Sequence, residues 1–169
     1  MIPRSFIPLL TLLATFLYIA EGNAMSILFG GEKSEVVLFS PLEGKLTYKG
    51  EPASGATFNV WIAWKDQEGE VAQFTADGNG YFSIPTNIVD HKANPLVQIS
   101  IAQSITVNYE GNDYVIWKAG KSSTNLYGEL GGRPENVMCE LTKEEMDTHL
   151  DSALLETSCV WSGLVKEKE

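Results

Sequence analysis

Between Ala56 and Trp64 the chain alternates: Ala56, Phe58, Val60, Ile62 and Trp64 fall on one side of an extended backbone, and Thr57, Asn59, Trp61 and Ala63 on the other. A side-chain period of two belongs to a β-strand, and a helix would scatter the same apolar residues around its axis. A second run sets Val97, Ile99, Ile101, Ile105 and Val107 against Gln98, Ser100, Ala102, Ser104 and Thr106, again a strand with one wet face. In each run the first-named set is expected in the core. Other short β-type runs, separated by turn residues, extend this pattern from Val36 to Val107 and point to an all-β body.

Two hairpins are expected. Glu70–Thr75 and Tyr81–Ile84 flank Ala76-Asp77-Gly78-Asn79-Gly80, whose glycines and Asn tolerate the positive φ of tight turns. Thr106–Tyr109 and Tyr114–Lys118 flank Glu110-Gly111-Asn112-Asp113. Strands joined by short turns imply a sandwich or small barrel. Ala119–Pro134 is rich in Gly, Ser and Asn and reads as loop. Thr142-Lys143-Glu144-Glu145 matches a capping box, and Met146, Leu150, Ala153 and Leu154 follow at helical spacing, so a short helix over residues 143–156 is expected.

Residues Gly44–Phe58, GKLTYKGEPASGATF, and Thr75–Phe82, TADGNGYF, resemble carboxypeptidase regulatory-like domains. The resemblance implies a transthyretin-like antiparallel β-sandwich. Asn125-Leu126, Cys139-Glu140-Leu141 and Ser158-Cys159-Val160-Trp161 resemble the C-terminal half of an exported bacterial family of unknown function built on that domain, which brings no catalytic residue to carry over. The helix-like stretch 143–156 departs from it. Enzymes of this fold, such as hydroxyisourate hydrolases and intradiol dioxygenases, need several histidines or a Tyr and His iron set, whereas this chain has 2 histidines, His91 and His149, neither within a motif.

At the N-terminus Arg4 supplies an early positive charge, Phe6–Ala20 is apolar apart from Thr11 and Thr15, and Gly22 and Ala24 form a small-x-small step. Together these make the three-part pattern of a secretory signal peptide, residues 1–24, with the mature chain starting at Met25. An uncleaved anchor is the alternative, but roughly 15 apolar residues fall short of the roughly 20 that span a bilayer. The expected organisation is a signal peptide (1–24), an N-terminal lead (25–35), the sandwich (36–118) and an extension (119–169). Export makes Cys139 and Cys159 read as a disulfide that ties the extension, contributing about 3 kcal/mol for a loop of about 20 residues. Two buried thiols or half of a metal site are the rival readings. Against the metal stand the lack of a Cys-x-x-Cys pair and the histidine count.

The formal charge of −10, from 22 Asp and Glu against 12 Lys and Arg, cannot supply the cationic surface that nucleic acid requires. No Gly-x-Ser-x-Gly elbow, His-Glu-x-x-His pair or phosphate-cradling glycine loop occurs. Asp77-Gly78-Asn79-Gly80 superficially resembles a calcium loop but lacks the spaced third acid and the bidentate Glu. Acidic clusters at Asp66, Glu68 and Glu70, and at Glu144, Glu145 and Asp147, suit a basic partner, although a solvated face is the ordinary reading.

Trp61 is the candidate binding residue, because alternation sends a large aromatic to the wet face. The ordinary alternative is that the extension covers it through Leu150 or Trp161. Trp64 and Trp117 read as core. The favoured expectation is an exported, non-enzymatic binding module, periplasmic or secreted, whose partner is another protein. An immunity factor against a toxin delivered into the periplasm, or an accessory subunit of a surface assembly, would fit. A glycan-binding module with Trp61 stacked on sugar rings is the alternative, and a hydrolase with an unrecognised site ranks third. No catalytic residue, cofactor or metal is expected, nor stable membrane insertion after cleavage.

Overall fold

The computed structural model describes residues 33–64, 68–92 and 98–164. The expected signal peptide and most of the lead lie outside these residues, as do Asp66 and Val97. Two compact units divide the chain, residues 1–34 with 91–95 and residues 35–90 with 96–169. In the first, the Ser34 hydroxyl donates to the carbonyl of His91 at 3.4 Å. The second holds the two large sheets.

Among the described residues all regular structure is strand, with no helix. β1 (Lys33–Phe39) pairs with β7 (Asn87–Lys92). A five-stranded back sheet runs β13 (Cys159–Ser162), β10 (Glu135–Glu140), β2 (Leu42–Tyr48), β3 (Glu51–Pro52), with β6 (Tyr81–Ile84) also on β2. A six-stranded front sheet runs β11 (Met146–Leu150), β12 (Ala153–Thr157), β9 (Asn112–Lys121), β8 (Ile101–Tyr109), β4 (Thr57–Trp64), β5 (Glu70–Thr75). Pairing within both sheets is antiparallel except between β10 and β2, which are parallel.

The inner faces pack as a sandwich, and alternation decides what enters. Phe58, Val60 and Ile62 of β4 are buried with Ile101, Ile105 and Val107 of β8, against Leu42, Leu46, Phe82 and Ile84 of the back sheet. Phe58 meets Phe82 with ring centroids 4.7 Å apart, and Trp117 meets Trp161 at 6.1 Å. Each such side chain stabilises the fold by about 1.5 to 3 kcal/mol on burial. A bulge opposite Ile105 and Thr106 turns Ile116 and Trp117 inward together. The expected β8–β9 hairpin forms around Glu110 and Gly111, both at positive φ (51° and 77°), a tighter turn than the four residues named for it.

Four expectations need correction. Residues 143–156 form no helix: β11 and β12 make a hairpin that extends the front sheet, with Leu154 paired to Gly120 and Leu155 to Ala119. Trp117–Lys121 would otherwise present an open strand edge, and Ala153, Leu155 and Thr157 bury on a period of two that supplies its partner. Thr142 caps nothing; its hydroxyl donates to Glu140 Oε1 at 2.6 Å. Second, β5 and β6 do not pair with each other, since β5 joins β4 and β6 joins β2. The turn between them carries the chain from one sheet to the other. There Asp77 Oδ1 accepts the amides of Asn79 and Tyr81, both at 2.8 Å, and Gly80 sits at φ 74° where a Cβ would collide with the Leu46 carbonyl. Third, β8 begins at Ile101, leaving Ile99 half-buried outside it, while Gln98 is exposed as expected. Fourth, Trp64 is half-buried and packs against the core rather than within it. Residues 119–164 are not laid on a finished sandwich; β9 runs through Lys121, and β10 to β13 complete both sheets.

A buried polar network fixes the loop that follows β9. Lys121 Nζ lies 2.7 Å from Glu129 Oε2, and Glu129 Oε1 accepts the amide of Ser40 at 2.7 Å and Gln103 Nε2 at 3.3 Å. Gln103 Nε2 also donates to the Leu38 carbonyl at 2.7 Å, and its Oε1 accepts Trp117 Nε1 at 3.2 Å. Each charge and each amide has a partner, the condition under which such groups tolerate removal from water.

Candidate functional site

Trp61 lies on the outer face of the front sheet, as alternation requires. Val71, Trp61, Ser104, Lys118, Glu156 and Asp147 are successive cross-strand partners from β5 to β11, so they form one row on that face. Ala63, Ala102, Gly120, Leu154 and His149 form the next row. Ser104, Ala102 and Gly120, between Trp61 on one side and Leu154 and His149 on the other, leave a shallow trough of about 470 Å³ that Lys118 also lines. Apolar side chains stand open around it: Val71 is 61% and Leu154 60% exposed.

Trp61 is half-buried and held in place. Its Nε1 donates to the Glu68 carbonyl at 3.0 Å, and the indole lies on Gly69, at φ 67°, where a Cβ would overlap Nε1. Trp161, expected as a cover for it, packs instead on Trp117 between the sheets. Leu150 lies against Gly131. The trough is acidic at its far end. Lys118 Nζ contacts Glu145 at 2.7 Å and Glu156 at 3.0 Å, with Asp147 beside Glu156 in the row. Hydrogen bonding to Glu145 and then Glu156 raises the Lys118 pKa, so the ammonium stays charged.

The other residues singled out in the sequence are dispersed. Cys139 and Cys159 are direct cross-strand partners on β10 and β13 and form a buried disulfide. His91 is near the end of β7, and His149 lines the trough. The first acidic cluster flanks the β5 edge through Glu68 and Glu70, and the second flanks the β11 edge. Among the described residues no group of three or more His, Cys, Asp or Glu is arranged to hold a metal ion. Nor is any helix among them long and apolar enough to cross a membrane.

Among the described residues Glu140 is the carboxylate displaced from its ordinary range. Burial alone would raise its pKa, but hydrogen bonds from the Thr142 hydroxyl and amide, the Gly50 amide and the Thr47 hydroxyl bring it down to about 2. The Lys49 amide adds another at 2.9 Å. With both oxygens occupied, Glu140 clamps the β2–β3 turn to the end of β10 and is not poised for proton transfer.

The sequence reading missed Leu154, Lys118 and the small-residue floor, which become one surface only once β12 is known to pair with β9. It also missed Gln103, whose place in phase with Ile101 and Ile105 was a signal for its burial.

A family model described as a domain of unknown function, DUF6795, matches residues 42–144. No curated protein and no solved structure is matched.

Proposed function

The chain belongs to this family of domains of unknown function, and we propose that it is an exported, non-enzymatic binding module on a carboxypeptidase regulatory-like sandwich, docking a basic partner protein on the outer face of its front sheet. The observation that carries the reading is the trough itself: a fixed tryptophan, a floor of small residues, open aliphatic side chains and an acidic end on one sheet face. Central aromatic anchors bordered by polar groups are how protein contact surfaces concentrate their affinity. Three carboxylates around one ammonium at the β11 end favour a partner that brings Lys or Arg beside an apolar residue. The buried disulfide suits an oxidising extracytoplasmic compartment and supports export. The GKLTYKGEPASGATF segment, which spans β2, β3 and the start of β4, supports the carboxypeptidase regulatory-like assignment.

The test is affinity capture from the native extracytoplasmic fraction with wild-type and Trp61→Ala baits of equal stability. A basic protein held by the wild type and lost with the variant supports the reading. Identical captures with both baits reject the trough as the docking surface.

A further inference from the structure

The back sheet carries a second recess on its outer face, independent of the trough. It has a volume of about 580 Å³ and is lined among others by Tyr81, Tyr127, Lys45, Arg133, Glu43 and Asn136. Tyr81 and Lys45 are cross-strand partners on β6 and β2, and Glu43 lies two residues along β2 on the same face. Tyr81 Oη donates to Glu43 Oε2 at 3.1 Å and Ser83 Oγ to Oε1 at 3.0 Å, so Glu43 is held in position and keeps lone pairs for further donors.

Two features set this cleft apart. Among the described residues the ion pairs are made by Lys118 and Lys121, and neither Lys45 nor Arg133 has a carboxylate within reach. In a chain of net charge −10 the cleft thus holds two cations outside any ion pair, beside the Glu43 carboxylate. The second is backbone strain. Of the non-glycine residues described at positive φ, Lys49, Glu110 and Tyr127 belong to turns beside Gly50, Gly111 and Gly128, and two, Tyr127 (61°) and Asn136 (56°), line this cleft. A bulky aromatic in that region is an outlier, and such outliers gather at ligand sites. The β10 register also breaks here, between Glu135 and Met138, a second irregularity of the kind that re-aims side chains at sites.

The geometry points to a binding site for an acidic saccharide, a polyhydroxylated ring bearing a carboxylate. Arg133 and Lys45 take the carboxylate, Tyr81 and Tyr127 offer ring faces to the C–H surface of the sugar, and Glu43 and Asn136 receive its hydroxyls. Glu43 excludes a bare anion as the best ligand, because it repels negative charge and rewards a hydroxyl. Lys45 and Glu43 emerge about 7 Å apart along the strand, the span of one sugar ring with its substituent.

Calorimetric titration of the disulfide-bonded protein with trigalacturonate, maltotriose and sodium acetate tests this. Trigalacturonate is expected to bind and to weaken with added salt, with maltotriose and acetate each at least about tenfold weaker. Arg133→Ala and Lys45→Ala should each lower trigalacturonate affinity by about tenfold or more. Tyr127→Asn removes the ring while keeping a residue that tolerates that φ: affinity should fall, and urea unfolding of the same variant measures what the lost packing against the core costs. Trp61→Ala should leave titration unchanged. No trigalacturonate binding, equal binding of maltotriose, equal binding of acetate, or affinity indifferent to Arg133, Lys45 and Tyr127 overturns the proposal.

Discussion

Lys121 and Glu129 meet at 2.7 Å with side chains 0% and 1% exposed, a charge pair closed off from water between β9 and the loop that follows it. The pair joins that loop to Ser40 and Gln103. Its removal from water is tolerable only while both partners remain.

Glu129→Ala should therefore cost about 3 to 5 kcal/mol, because Lys121 keeps a buried charge with no partner. The double change Lys121→Met with Glu129→Gln removes both charges and keeps an acceptor for the Ser40 amide, so most of that loss should return. Urea unfolding with the disulfide intact measures both. A loss below about 1 kcal/mol for Glu129→Ala would mean that water reaches the pair.

Trp61→Ala should weaken partner binding by about 2 kcal/mol or more while costing no more than about 1.5 kcal/mol of stability. Gly69→Ala should reproduce the binding loss without touching the indole chemically, since the new Cβ displaces the ring. If Trp61→Ala instead unfolds the chain, Trp61 is a packing residue and the trough loses its anchor.

The acid limb of stability should report Glu140. Its carboxyl, ordinarily near 4.5, sits at about 2 in the folded chain. A depressed folded-state value gives stability that is complete above the unfolded value and lost as pH falls through the folded one. The difference in unfolding free energy between wild type and Glu140→Gln should thus shrink between pH about 4.5 and about 2. At neutral pH the variant should be less stable by about 1 to 2 kcal/mol. A difference that stays constant across that range would show that Glu140 titrates normally.

Intact-mass analysis of protein from its native compartment should find a chain starting at Met25 with no thiol open to alkylation. Reduction should expose two, and lower stability by about 3 kcal/mol. A mass that includes residues 1–24, or two alkyl groups taken up before reduction, counts against export.

How far the sequence revealed this molecule depended on how local the relevant information was. Phe58, Val60 and Ile62 announced their burial through a period of two, and Trp61 its opposite face, because a strand's pleat is written in adjacent residues. Met146–Glu156 misled because its few apolar residues fit both periods, and only the open edge of β9 decides between them. The same held at Ala76–Gly80, where turn chemistry marked the reversal but not the change of sheet. The trough and the second cleft were illegible for a stronger reason: each gathers residues from strands and loops far apart in the chain.

The parallel pairing of β10 with β2 sets the order in which the molecule can finish folding. Gly44 must wait for Val137, more than 90 residues later, before the second flank of β2 is covered. Such a long-range closure slows folding relative to neighbouring hairpins. A chain delivered N-terminus first therefore passes through a stage with β4 to β9 assembled and β2 open along one side, an edge available to a chaperone or to a second copy of itself. Until β10 arrives, that edge is where assembly and aggregation compete.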